Sequence, residues 1–558
     1  MKETIKKTII KLVSILRAHG LACLLAVLVG ASAIAPHLLA QNALGADYRG
    51  FPFIFHKNGD YYMAKIQDII DGYWLANSPY LYDYKNTVSL VFPIGEYLYA
   101  LPVLLFGVSV VSVLMAAKFI FPSLLFLLVY ILLYNLSKRT SGDKINAIFG
   151  GLLITIGEYF INYKDTWSRL IGQNHELYLS IWTRPVNPIT GALFLFLFLI
   201  LFWKSIRSDK WYFPIASGIV LGIMPGYIFS WMVALSIVCS VAFFAAADGQ
   251  YSASRFGLML THYPVLNKVV LAQTILFLAI FLFEWRRKKK NSERFEEWWW
   301  FAAALVAGNW LVYNQQIITG RVIWVPHLTQ YTVPLAFFTF VLVLGNYFRI
   351  LVPKLWSLFV IAISGIFVLF IVMTTFNYNG QMKDFSKLQY YMPFFNWLNQ
   401  YSAKDCVVLA NEEWDNKDFL TRWIPAFTHC NTYLTDYFPS SAPSERIYFS
   451  YLVNLRLRDV KKQDLEKYLW SQKDVLRAYF YDTWQQAFTP VDDSWLAGPI
   501  QTIVERYDSF LEEDFTTALR RYKIDYLVSE ELLSASLSQQ LPSLRLLEKA
   551  GTVYIYQL

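Results

Sequence analysis

The chain has 558 residues, of which 56% are hydrophobic and only 16% are charged. Its apolar runs are long, continuous and parted by short polar breaks, the pattern of a multi-spanning helical membrane protein; because they do not alternate, they exclude a transmembrane β-barrel. Lys and Arg outnumber Asp and Glu by 30 to 17 over residues 1–375 but number 19 against 24 over 376–558, so the basic excess marks membrane topology rather than a nucleic-acid surface.

The first apolar run, Leu21 to Ala40, is long enough to span, has no persuasive cleavage site and follows Lys2, Lys6, Lys7, Lys11 and Arg17, as a signal anchor would. After it comes the polar stretch HKNGDYYMAKIQDIIDG, residues 56–72. Tyr62, Ile66, Ile69, Ile70 and Tyr73 recur there at helical spacing, which predicts a small amphipathic helix lying flat with that face in lipid. Asp60 falls at its N-terminal end, where an aspartate also serves as a cap. Residues 89–107, interrupted by Pro93, Glu96 and Pro102, read as a helix along the outer interface with Tyr97 and Tyr99 at headgroup level.

The next run, VVSVLMAAKFIFPSLL, carries Lys118 near its outer end, placed to snorkel to the headgroups or to hold a phosphate. Basic clusters at Lys138, Arg139 and Lys144, at Lys204, Arg207 and Lys210, and from Arg286 to Lys290 follow later runs. Placing them in the cytoplasm with the N-terminus puts residues 41 to about 108, 160–188, 314–330 and everything after about 376 on the other face. Residues 212–247 are long for one span and short for three; a helix broken at Pro225-Gly226, or a re-entrant piece, keeps the orientation. The expected fold is a polytopic α-helical protein with an odd number of spans, about nine to eleven, over residues 1–375 (first outside loop 41–108). A soluble, extracytoplasmic α/β domain is expected over 376–558.

In that tail DCVVLANEE, NTYL and the KIDYLVS of KIDYLVSEELLSASLSQQL read as strands, the last leading into a helix; LRLLEKAGTVYIYQL reads as two strands around a Gly-containing turn. PSERIYFSYLVNLRL and GPIQTIVERYDSFLEEDFTTALRRY have helical periodicity. No Gly-rich phosphate loop is present, so no nucleotide site is expected. Cys406 and Cys430 read as two buried thiols, or as a disulfide if the tail lies outside the cytoplasm.

The unusual polar residues gather on one face of the predicted topology: Asp60; Lys118; Arg169, Glu176, Arg184 and Asn187; Asn314, Gln315, Gln316, Arg321 and His327. Acids, bases and amides at span ends suit a site that binds an anionic amphiphile and moves a proton. Each also has a plainer reading. Arg184 can anchor a loop on lipid phosphates, Asn314 and Gln315 can cap the span before them, and His327 can be an ordinary interfacial histidine.

The order of these features, a first span, an acidic residue opening an interfacial helix, then EYLYALPVLLFG and AAKFIFPSLLFLLVYILLYNL, resembles the GT-C class of integral membrane glycosyltransferases. WTRPVNPIT (182–190) and YNQQIITGRVIWVPHLTQY (313–331) are similar to motifs of a bacterial branch of that class. The resemblance implies sugar transfer, with inversion, from a polyprenyl-phosphate carrier to an extracytoplasmic glycan, lipid or protein acceptor at the cell membrane. Asp60 would be the catalytic base, Lys118, Arg184, Arg321 and His327 would hold the donor phosphate, and Asp83, Asn187, Asn314 and Gln315 would support them. The first loop departs from better-known members in lacking an adjacent acidic pair: Asp60 stands alone, with Asp68, Asp71 and Asp83 at a distance. A requirement for Mg or Mn therefore stays open. The rival readings are a lipid-linked glycan polymerase or ligase, and a non-catalytic transporter or scaffold for lipid-linked glycans.

Overall fold

A computed structural model describes residues 2–54, 59–87, 92–137, 141–157, 180–238, 258–291, 293, 295–323, 325–375, 377–412, 420–435, 442–481, 486 and 492–558. Arg169 and Glu176 lie outside the described residues. The chain divides into two compact units: residues 1–43, 112–244 and 261–382 form one, and residues 44–111, 245–260 and 383–558 the other. The division differs from a simple cut near residue 375, because the loop after the first run packs with the C-terminal part of the chain.

The first unit is helical. Among the described residues of the chain, six helices are long and apolar enough to cross a membrane: Ala18–Asp47, Val110–Leu136, Ile189–Arg207, Tyr212–Ile237, Lys268–Lys290 and Val325–Tyr347. The fourth is interrupted by a 3-10 turn, Met224–Tyr227, where Pro225 removes a backbone donor and Gly226 tolerates the bend. The helices Lys2–Leu44 and Val110–Leu136 approach each other at Gly30, where a Cβ would collide with the Phe119 carbonyl and the Ser123 hydroxyl. Only glycine permits so close a crossing.

In the second unit a five-stranded sheet runs in the order Asn431–Thr432, Val407–Asn411, Tyr526–Ser529, Val553–Gln557, Arg545–Ala550. The first two pairings are parallel and the last two antiparallel. Val407 to Ala410 and Leu527 to Ser529 are buried in unbroken runs, as strands covered on both faces must be. The final hairpin turns at Gly551, whose φ of +66° suits glycine. The helix Ser444–Leu457 and the helix Ala497–Glu512 lie where the periodicity predicts them, the latter followed by Asp514 capping the short helix Phe515–Leu519.

Cys406 and Cys430 are joined in a disulfide that ties the start of one strand to the start of its neighbour, which settles the two readings of this pair in favour of the bond. Closing the 24-residue separation is worth about 3 kcal/mol in a loop-entropy account.

The helix predicted to lie in lipid, Gly59–Ile70, is instead part of this unit's core. Ile66 and Ile69 are fully buried, and so are Met63 and Ala64. The helix packs between Leu420–Phe427 and Ile94–Phe106. Tyr99 is likewise buried rather than at a headgroup surface. The exposed side of Ile94–Phe106 is formed by Leu98, Leu101, Leu104, Leu105 and Phe106, so the apolar face that remains open belongs to this second helix.

Candidate functional site

Asp60 is the second residue of the helix Gly59–Ile70. It is 7% exposed, which requires that its carboxylate be met by donors. The Tyr80 hydroxyl donates to Oδ2 at 3.2 Å, and the Arg422 guanidinium lies 3.9 Å from the same oxygen. Tyr80 is fixed from the other side, since its carbonyl accepts the Thr432 N–H at the sheet edge. Arg422 is carried by the helix Leu420–Phe427, whose Leu420, Trp423, Ile424 and Ala426 are buried and which packs directly on the Asp60 helix.

The first turn of Leu420–Phe427 is held by Glu412, whose carboxylate accepts the Leu420 and Thr421 N–H groups at 2.6 and 2.9 Å. Burial pushes the Glu412 carboxyl up to about 7, against the pull of those donors. The folded state therefore keeps the proton to higher pH than the unfolded chain does. The associated stability is complete below the ordinary glutamate range and is lost as pH rises through 7. The unit should lose on the order of 3 kcal/mol between about pH 4.5 and pH 8 for this reason. Urea midpoints across that range should show the slope in the wild type and a much flatter profile in Glu412→Gln, whose amide oxygen still accepts one of the two N–H groups.

Two buried ion pairs brace the Asp60 helix further along. Lys65 meets Glu96 at 2.8 Å, and Asp68 meets Lys85 at 2.7 Å with Lys85 also over the Tyr73 ring. Asp83 lies 3.8 Å from Arg446. Arg446 is fully buried, donates to the Tyr433 carbonyl and Ser450, and stacks on Tyr522. Asp83 thus ties the first loop to the helix Ser444–Leu457 rather than standing beside Asp60.

The remaining predicted residues belong to the first unit, where four of them form two groups and Asn314, Gln315 and Arg321 stand apart. Lys118 is buried with its ammonium on the His37 ring, at 2.8 Å from Nε2. Their helices are those that cross at Gly30. Arg184 and Asn187, from WTRPVNPIT, come together with His327, from VPHLTQY. The charge of Arg184 reaches the His327 ring, and one turn on from His327 the Tyr331 hydroxyl donates to Asn187 Oδ1 at 3.4 Å and to the Pro188 carbonyl at 3.1 Å. Phe229 packs edge-on against His327. The two motifs therefore meet, 140 or so residues apart in sequence.

Asn314 stands apart from that group. It accepts the Val265 N–H at 2.9 Å and donates to the Trp310 carbonyl, holding the segment that leads into the helix Lys268–Asn291. Gln315 is the single residue between the helix Glu297–Asn314 and the turn Gln316–Thr319. Arg321 opens the short strand Arg321–Ile323, and its side chain is outside the described residues.

His37, Tyr80, Arg422 and Arg446 are the partners that the sequence reading did not name. A histidine inside an apolar run was a signal for His37. Arg422, within LTRWIPAF, and Arg446 gave none, because each acquires its partner only through long-range packing.

A hard divalent cation needs several oxygen ligands. The Asp60 carboxylate has a guanidinium beside it, and the other carboxylate next along its helix, Asp68, is committed to Lys85. Mg or Mn therefore does not fit these residues. Among the described residues, the three soft ligands Cys406, His429 and Cys430 come close together, but the two cysteines are bonded to each other. No protein-family model and no curated protein matches the chain.

Proposed function

We propose that the protein is a membrane glycosyltransferase with the GT-C plan, transferring a sugar from a polyprenyl-phosphate donor to an extracytoplasmic acceptor, with Asp60 as base. The observation that carries this reading is the Asp60 carboxylate, buried at the start of a helix and aimed by Tyr80 and Arg422. Glycosyl transfer needs a base at the acceptor hydroxyl and cations on the departing phosphate, whose charge grows in the transition state. In the first unit, Lys118 beside His37 within two membrane-length helices, and Arg184 just before one such helix with His327 at the start of another, supply basic groups for a phosphate whose lipid tail stays in the bilayer.

In this reading the N-terminus is cytoplasmic, about nine to eleven spans cross the cell membrane, and the sheet-containing unit faces the other side. A disulfide in that unit agrees with an oxidising compartment. The chemistry proceeds without a metal step: Asp60 accepts the acceptor proton as the sugar's anomeric carbon exchanges its phosphate oxygen for the acceptor oxygen, with inversion.

The test is transfer or donor hydrolysis by purified protein in lipid, across a panel of polyprenyl-phosphate and polyprenyl-diphosphate sugars. Turnover of a monophosphate donor supports the reading. Tight donor binding with no turnover of any member would favour a transporter or scaffold, and elongation of a diphosphate-linked oligosaccharide would favour a polymerase.

A further inference from the structure

Asp60 is held by Tyr80, from its own loop, and by Arg422, from the far end of the chain. Tyr80 is anchored through its carbonyl to Thr432 on the edge strand, and Arg422 projects from a helix whose start is tied to Glu412, the residue that follows the neighbouring strand Val407–Asn411. The Glu412 carbonyl is itself held by Arg458 at 2.6 Å. Both contacts fall on Oδ2 of Asp60, which fixes the rotation of the carboxyl group and presents Oδ1 as the oxygen these two partners do not hold.

We infer that Arg422 is a positioning residue of the Asp60 site, so that the C-terminal part of the chain takes part in the reaction by aiming the carboxylate. The inference rests on the transferase reading for its consequence in catalysis, and on geometry alone for the contact. Arg422 sits where the buried docking face of Leu420–Phe427 ends: its side chain is 32% exposed, while Thr421 and Trp423 on either side are buried. Among the described residues, Lys65 is paired with Glu96 from Ile94–Phe106 and Glu412 accepts the helix N–H groups. Arg422 is thus the cation that the packed helix directs at Asp60.

A guanidinium beside a carboxylate stabilises its charged form, and this gives a readout separate from turnover. In the full-length protein in nanodiscs, carbodiimide labelling of Asp60 can be followed against pH by peptide mass spectrometry, since the reagent takes the protonated carboxyl. Arg422→Gln should raise the pH of half-labelling, and Arg422→Lys should restore most of the wild-type curve. With a donor that turns over, Arg422→Gln should lower kcat about ten- to a hundredfold with little change in KM, as a slight misplacement of the base would, and Arg422→Lys should recover part.

Identical labelling in all three proteins overturns the contact, and unchanged kcat in Arg422→Gln overturns its role. A labelling shift in a protein that transfers no sugar from any donor removes the transferase reading and leaves the contact standing, so the two fail separately. Should Arg422→Gln not fold, Arg422→Met takes its place: loss of the charge should move the labelling curve while Arg422→Lys largely keeps it, and an unmoved curve in Arg422→Met rejects the assignment.

Discussion

Lys85→Met should destabilise the unit containing residues 44–111 and 383–558 by about 3–5 kcal/mol, the cost of leaving a buried carboxylate without its partner. Lys85 and Asp68 each have side chains only 3% exposed, and Asp68 Oδ2 already lacks a hydrogen-bond partner, so the Lys85 contact at Oδ1 is what the group depends on. Burial pushes Asp68 up to about 6 even with Lys85 opposing it. Without Lys85 the carboxyl would rise further and take a proton near neutral pH, which caps the penalty and gives it a pH signature. Because the folded-state value lies above the unfolded one, the variant's deficit should be small near pH 5 and grow as pH rises to 8. Pulse proteolysis in urea, at both pH values, measures it. The double variant Lys85→Met with Asp68→Leu should recover most of the loss, since an apolar pair of similar volume carries no desolvation cost. Equal deficits at the two pH values, or no recovery in the double variant, would show that Lys85 acts through its packing on Tyr73 instead.

That ion pair illustrates how the sequence could be read correctly in kind and wrongly in place. Helical spacing of Tyr62, Ile66, Ile69 and Ile70 identifies a helix with one apolar face, but the spacing is the same whether that face meets lipid or protein. What distinguishes the two cases is on the other face: Asp60, Lys65 and Asp68 are buried as well, and a helix lying at an interface would leave them in water. Their partners Arg422, Glu96 and Lys85 come from three separate segments, and no local pattern joins them. The strands Val407–Asn411, Tyr526–Ser529 and Val553–Gln557 were legible because each is a short apolar run, and Gly551 marks the final hairpin unaided. The meeting of Arg184 and Asn187 with His327 lies between these extremes. Both motifs stood out as polar groups at span ends, yet their contact through Tyr331 depends on how the helices Ile189–Arg207 and Val325–Leu351 are placed.

Asp60→Asn should lower turnover of a polyprenyl-phosphate donor by about a hundred- to ten-thousandfold, the range in which a positioned base contributes to proton transfer. The substitution preserves volume, and its amide oxygen still accepts from Tyr80, so the helix Gly59–Ile70 keeps its packing on Leu420–Phe427. It loses the charge that faces Arg422, but that guanidinium is about a third exposed and water replaces the partner at a cost of about 1 kcal/mol or less. A large kinetic loss with near-normal stability therefore separates chemistry from folding. Asp60→Glu sharpens the distinction. Glutamate retains a base but moves the carboxyl about one bond further from the backbone, and a displacement near 1 Å costs roughly a hundredfold when geometry is tight. If Asp60 only anchored its helix, asparagine would be nearly silent and glutamate the more disruptive change. If Asp60 takes the proton, both variants bind donor normally and both fail in turnover, asparagine the more completely. Donor binding and single-turnover rates for the pair, measured in nanodiscs, distinguish these outcomes, and asparagine protein that turns over at the wild-type rate would move the base elsewhere in the molecule.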